Sequence, residues 1–402
     1  MVHTKLLRTM LVLFLVLPGV FAAAQTEPAV PLPDLQVVDA LGSDLFVQSG
    51  ATGMVLVVVR GDQAVFRGYG ETAPGSQQTP TQDSVLRLCS LTKIFTTDVL
   101  TKLVADGVVG LDDPLQRYAP KRTLVPKRVQ PITLEDLATH TSGLPRELGN
   151  APRGTPHFTF PDSRTRWRWL PNQRLRSVPG SVALYSNVGF DLLSDALESV
   201  TRKQYAALLA ERTLNPLAMP NTTFFPTAEQ CGLLLVGARD EGACTSTEET
   251  AGSSGLYSNA TDMTKWLKYL LQRGDGAPGQ DAQAVYLRPA QLVRQTGLDH
   301  AGEPTGVGLG WIHILPLDSP SHIVEKTGGG AGFSTYIAIS HSRQTAVFMA
   351  MTDGLVETHL NVFNATNKLL LQVAGLPPLP PPAPKPVVKR ARRPRHPIRS
   401  RR

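Results

Sequence analysis

Apolar positions along the chain change their period as the chain proceeds. After Pro33-Asp34 they fall at Leu35, Val38, Leu41 and Leu45, the three-to-four spacing of one helical face. Two Val/Leu-containing runs follow, Met54–Arg60 and Ala64–Tyr69, and Gly61-Asp62-Gln63 between them predicts a β-hairpin. A second helix is expected from Ser90 to about Asp106, with Gly107 able to cap it. From about 110 to 300 the pattern is helical or loop-like. Strand periods return at Ile323–Lys326, Phe333–Ser340 and Thr345–Met351. A last helix, His359–Ala374, carries Leu360, Phe363, Leu370 and Val373 on one side before Gly375 and Pro377 end it. Two early and three late strands predict one antiparallel sheet flanked by the first and last helices. The middle would be an inserted, mostly helical lobe, giving an α/β (α+β) fold without internal repeats.

The ends read differently from the body. Lys5 and Arg8 precede an apolar run, Met10–Leu17, and Phe21-Ala22-Ala23-Ala24 offers a small-residue cleavage site before Gln25. Residues 1–24 are therefore expected to be an export signal, too short and too interrupted by Pro18 to span a bilayer. Residues 25–375 would form the globular domain, with a sheet lobe at about 34–85 and 305–375 and a helical lobe at about 86–304. From Leu376 the chain turns Pro-rich and then basic, a composition that favours an extended, disordered tail. The formal net charge of +7 is concentrated there: nine Lys or Arg and no acid lie between Lys385 and Arg402. Without the tail and the leader the body is mildly acidic, so the basic stretch is the part suited to an anionic envelope surface. In an oxidising compartment Cys231 and Cys244 can close a short loop, leaving Cys89 single as a buried small hydrophobe; the sequence leaves that pairing open. The cysteine spacings do not form a zinc framework and no H-x-x-x-H pair occurs, so neither a metal nor a cofactor is expected.

Three short strings carry candidate chemistry. Ser90-x-x-Lys93 stands at a helix start, where one helical turn puts a hydroxyl and an amine on the same face. Serine needs such a neighbour to remove its proton before it can attack a carbonyl. Tyr185-Ser186-Asn187 follows the Pro179-Gly180 turn signal. A tyrosine, ordinarily titrating near 10, becomes a base only where cations favour its phenolate; Lys93 and Lys326 would supply them, and Tyr185 would then take the proton of Ser90. Lys326-Thr327-Gly328 falls on a strand, where the lysine and threonine can hold a carboxylate and the glycine admits close approach. The backbone N–H groups of Ser90 and Gly329 would form an oxyanion hole.

S-x-x-K followed by K-T-G is the signature of serine β-lactamases and penicillin-binding proteins. With Y-x-N as the middle motif, at separations of about 95 and 140 residues, the chain resembles the class C branch of that family. Leu137-Ala138-Thr139-His140-Thr141-Ser142-Gly143-Leu144-Pro145, Gly255-Leu256-Tyr257-Ser258 and Gly308-Leu309-Gly310-Trp311 agree with it. Gly50-Ala51-Thr52-Gly53-Met54 and Tyr69-Gly70-Glu71-Thr72 point further, to the AmpH-type D-alanyl-D-alanine carboxypeptidase/endopeptidases. The resemblance implies a β-lactamase/transpeptidase-like fold, with Ser90 acylated and Lys93 and Tyr185 as the proton-transfer pair. It implies Asn187 as a contact to the substrate amide, and Lys326, Thr327 and Gly328 around its terminal carboxylate. Muropeptides of peptidoglycan and β-lactams would be the partners, and the periplasm the compartment. A class C β-lactamase, an esterase or D-amino-acid peptidase, and a non-catalytic wall-binding or β-lactam-sensing protein are the rival readings.

Other strings are read as structural. Tyr257-Ser258-Asn259 repeats Y-S-N without the preceding Pro-Gly turn. His140 sits in a stretch that resembles a structural segment of the family. No G-x-S-x-G elbow exists, and no Gly-Lys-Ser/Thr follows the glycines after Lys326. Arg164, Arg166, Trp167, Arg168 and Trp169 interleave bases with aromatics, but packed tryptophans with surface arginines are expected rather than nucleic-acid binding.

Overall fold

Asp34 accepts hydrogen bonds from the N–H groups of Gln36 and Val37 and caps helix α1 (Leu35–Ser49), which Gly50 ends in the left-handed conformation. This computed structural model describes residues 34–239, 242–274, 276–353 and 359–379. The expected export signal, and the basic tail from residue 380 on, lie outside the described residues. The hairpin follows as β1 (Gly53–Arg60) and β2 (Gln63–Gly70).

The middle of the chain supplies α2 (Thr92–Ala105), β3 (Val182–Leu184), α3 (Asn187–Thr201), α4 (Ala260–Leu271) and β4 (Arg294–Thr296). It then returns to the sheet through β5 (Pro304–Val307), β6 (Ile312–Ile314), β7 (Ile323–Gly330), β8 (Phe333–Ser340) and β9 (Thr345–Thr352), and closes with α5 (Val362–Val373). The sheet order is β2-β1-β9-β8-β7-β6-β5, and each neighbouring pair is antiparallel. It has seven strands where five were expected. Pro304 and Gly306 interrupt the apolar period of β5, and β6 is only three residues long, so neither announces itself.

Alternation along β1 divides the core. Val55, Val57 and Val59 face the central helices α2, α3 and α4, whereas Met54, Leu56 and Val58 face α1 and α5. A strand buried on both faces reads as a continuous apolar run, which is what Met54–Val59 is. The buried stripe of α1 begins at Val38, since Leu35 in the first turn is half exposed. Leu376, placed in the tail by composition, is buried, and its N–H reaches Leu371 O at 2.8 Å.

The arginine–tryptophan stretch departs from expectation in one respect. It forms a short helix, Ser163–Trp169, with Trp167 buried, but Arg166 is buried too. Its guanidinium pairs with Asp195 at 2.7 Å and donates to the carbonyls of Pro161 and Glu249. A buried charge is tolerated when it is paired and its donors are filled, and here they are. Cys231 and Cys244 form a disulfide, and Cys89 is free and buried. No helix among the described residues is long and apolar enough to cross a membrane.

Candidate active site

Ser90 lies in a turn of 3-10 helix, Cys89–Leu91, that leads into α2. Cys89 before it has φ +52°, left-handed for a residue with a Cβ, and its thiol contacts Gly330 O at 3.3 Å. Burial pushes that thiol up to about 12, so it is no nucleophile. One helical turn beyond Ser90, Lys93 is fully buried. Its Nζ lies 3.3 Å from Ser90 Oγ, 2.7 Å from Asn187 Oδ1 and 2.8 Å from Ser253 O. Three acceptors satisfy an ammonium. A neutral amine fits the same place equally well, donating to Asn187 and Ser253 and accepting from the serine hydroxyl. Burial lowers the Lys93 pKa to about 7, against the opposing pull of Asp191, which is itself buried and shifted upward by desolvation.

Tyr185 directly follows β3 and faces the same cavity. Three cations crowd its ring: Lys93 Nζ at 4.9 Å, Lys326 Nζ at 5.1 Å and Arg146 Cζ at 4.7 Å from the centroid. Lys326, on β7, is hydrogen-bonded to the Tyr185 side chain, and burial lowers its own pKa. Among the described contacts, the hydrogen bond of Ser90 Oγ is to Lys93 and none joins it to Tyr185. Asn187, at the start of α3, is engaged at both ends, accepting from Lys93 and donating Nδ2 to Glu147 Oε1.

β7 brings in the third motif. β6 pairs with it only as far as Glu325, so Lys326–Gly330 keep that edge free of a neighbouring strand. At Gly328 a Cβ would lie 2.2 Å from Thr335 Oγ1, 2.9 Å from Leu88 O and 3.2 Å from Ser90 N, so only glycine lets the strand lie against the serine turn. A cleft of about 260 Å³ opens over the site, lined among others by Ser90, Tyr185, Thr327, Gly328 and Gly329.

All the sequence-identified site residues therefore meet: Ser90, Lys93, Tyr185, Asn187, Lys326, Thr327, Gly328 and Gly329. Arg146, Glu147, Asp191 and Ser253 were not foreseen. Arg146 and Glu147 directly follow the Leu144-Pro145 end of a recognised string, the one signal that could have marked them. Tyr257-Ser258-Asn259 is structural, with the Tyr257 hydroxyl held by Arg87 and the Asn259 side chain capping α4.

The family model described as Beta-lactamase matches residues 36–370. The D-alanyl-D-alanine-carboxypeptidase/endopeptidase AmpH of Escherichia coli K12 is 40% identical over 353 residues, covering 86% of this chain and 91% of the relative. A crystal structure of a beta-lactamase/D-alanine carboxypeptidase from Yersinia pestis, complexed with citrate, superposes with a TM-score of 0.79 at 41% identity. That match covers 84% of this chain and 97% of the Yersinia chain. A class C beta-lactamase from Rhodobacter sphaeroides, 21% identical over 84% of this chain and 99% of its own, shares the fold with a TM-score of 0.66.

Proposed function

Because the chain belongs to the beta-lactamase family, we propose that it is a serine D,D-carboxypeptidase/endopeptidase acting on D-Ala-containing peptidoglycan peptides through a Ser90 acyl-enzyme. β-Lactams would acylate the same hydroxyl. The observation that carries this reading is the hydrogen bond between Ser90 Oγ and a buried amine whose pKa lies near neutrality. The family relationship to AmpH supports the substrate class.

In this mechanism neutral Lys93, the hydrogen-bonded neighbour of Ser90, takes its proton as Oγ attacks the peptide carbonyl, in place of the Tyr185 expected from the sequence. The N–H groups of Ser90 and Gly329 hold the oxyanion. Tyr185 gives its proton to the departing amine, and the three cations around its ring favour the negative charge left on its oxygen. The Lys93 ammonium returns a proton to Tyr185, restoring both groups. Water then attacks the ester, the proton moves back through the same pair, and the acid product leaves Ser90 free. Lys326 and Thr327 hold the terminal carboxylate. Asn187 meets the substrate amide through its carbonyl oxygen, which retains a second lone pair. The cations around Tyr185 suit a ligand that carries a carboxylate.

The compartment follows from the N-terminal pattern: export to the periplasm with removal of residues 1–24, which the Cys231–Cys244 disulfide supports. The basic tail would add electrostatic attraction to the envelope. Replacing Ser90 by Ala tests the chemistry. Labelling by a fluorescent penicillin and release of D-Ala should both vanish, and labelling that persists elsewhere in the chain would refute the assignment.

A further inference from the structure

A surface beside the cleft combines cations with exposed aliphatic side chains. Residues 114–134, 171–190 and 282–298 together hold nine Lys or Arg and no Asp or Glu, in a body that is otherwise mildly acidic. The three segments are stitched into one face. Arg128 Nη1 reaches the carbonyls of Leu175 and Arg176 at 3.3 Å, Gln130 Nε2 donates to Pro179 O at 2.7 Å, and Val293 N donates to Ser181 O at 2.9 Å. The parallel pair β3 and β4 extends the join up to Tyr185 at the cleft.

Large aliphatic groups stand out on this face. Leu124 is 73% exposed, Val293 83% and Val129 91%. Lys121, Arg122 and Lys127, also exposed, flank Leu124 in the same loop and make no ion pair among the described residues. Of the acids that border these segments, Asp113 is used internally by Arg117 and Tyr118 and Asp136 by Thr133 and Thr141, Glu135 is half-buried, and Asp112 and Asp299 are exposed. Val129 also has φ +68°. A β-branched residue is a rare and strained occupant of the left-handed region, where Asn or Gly would be at ease. Folding alone would not choose an exposed valine there.

We propose that this loop and its neighbours form a docking surface for a lipid bilayer bearing anionic headgroups. The cations meet the headgroups, and Leu124 and Val129 enter the interface between headgroups and acyl chains. Charge complementarity selects the anionic lipid. The exposed aliphatics distinguish a bilayer from a soluble or wall-bound anionic polymer, which would need charge alone. The inference is independent of the chemistry at Ser90. Docking through this face brings the cleft mouth beside the membrane.

The test is co-sedimentation of the chain from residue 25 to 402 with vesicles of phosphatidylcholine, alone or mixed with phosphatidylglycerol. The parent chain should bind the mixed vesicles and not the neutral ones. Lys121→Gln with Arg122→Asn and Lys127→Gln should weaken binding about 100-fold, at about fivefold per cation near the surface. Leu124→Ser with Val129→Asn should weaken it about tenfold, while the thermal midpoint holds or rises because Asn relieves the strained backbone. Loop variants that bind as tightly as the parent would show that the C-terminal tail or another surface is responsible, and would overturn the proposal. So would equal binding to neutral vesicles, or loss in the cation variant with none in the aliphatic variant, the pattern of a polymer-binding face.

Discussion

Replacing Lys93 by Arg separates the two roles that a buried cation can play at this site. Burial lowers the pKa of the wild-type amine to about 7, so neutral amine able to accept the serine proton is present near neutral pH. Below that point the neutral fraction falls about tenfold per pH unit, and the acylation rate should fall with it, levelling off above pH 7. Arginine keeps the charge near Asn187, Ser253 and Tyr185 but cannot be deprotonated. Positioned proton transfer contributes about 10²- to 10⁴-fold, and Lys93→Arg should lose at least about 100-fold in the second-order rate of acylation. The guanidinium is also bulkier in a site with no exposure, which costs about 1–3 kcal/mol in strain. Lys93→Gln supplies the control: it is smaller and uncharged, lacks a basic nitrogen, and should lose as much activity without the overpacking. The assay is the rate of labelling by a fluorescent penicillin from pH 5 to 9, with thermal midpoints measured alongside. A folded Lys93→Arg variant within tenfold of wild type would refute the reasoning, as would a wild-type profile that is flat across pH 7.

Two further outcomes test the scaffold. Glu325 is buried on β7, and desolvation raises its pKa to about 8 from the ordinary 4.5; the folded state keeps this proton while the unfolded chain loses it, so stability falls as pH rises through that window. Glu325→Gln should match wild type in urea melts at pH 5 and exceed it by about 2–4 kcal/mol at pH 8, and an equal difference at both pH values would contradict this. Gly328→Ala forces a Cβ against Leu88 O and Ser90 N, both backbone atoms; pushing β7 off the serine turn should cost about 1–3 kcal/mol and a further loss of acylation rate, on the order of 10²-fold if one oxyanion donor is displaced. Acylation at the wild-type rate would show that Gly328 is not what sets that distance.

The site was legible in the sequence because its members sit in dense local signals. Ser90 and Lys93 lie one helical turn apart, Tyr185 and Asn187 straddle a cap residue that starts α3, and Lys326–Gly328 continue an apolar strand into glycines. Each string predicts its own local geometry, and resemblance to a family joined them. Residues that act through tertiary packing left no such mark. Ser253 contributes only a backbone carbonyl to Lys93, which any residue could offer. Arg166 reads as a surface charge and Asp191 carries no signal at all, and only the fold shows that both are buried. The two missed strands fail for a local reason, a proline and a glycine in one and three residues in the other. Exposure is the hardest property to read from sequence. Nothing in Lys121–Val129 says that its aliphatic side chains stay in solvent until neighbouring segments are seen to leave them uncovered.

His140 shows how burial and charge, rather than residue type, decide a role. Its ring stacks on Tyr185 at 4.4 Å and lies 4.8 Å from Phe190, close enough to suggest a general base. Burial first, and then Lys93, Lys326 and Arg146, push its pKa well below the ordinary value, so the imidazole is neutral. The N–H of Ser186 donates to Nδ1 at 3.1 Å, which assigns the ring proton to Nε2, a buried atom with no hydrogen-bond partner. The one lone pair that could accept a proton is thus already occupied by backbone. A cation there would add a fourth positive charge beside Tyr185. What remains to the ring is shape: a flat, uncharged surface against which Tyr185 is held while three cations approach it. The surrounding backbone is fitted to that task. His140 itself is left-handed at φ +62°, and a Cβ at Gly143 would strike Ser177 O at 2.7 Å. In the proposed mechanism the Thr-His-Thr-Ser-Gly string therefore holds the phenol in place and leaves proton transfer to Lys93 and Tyr185.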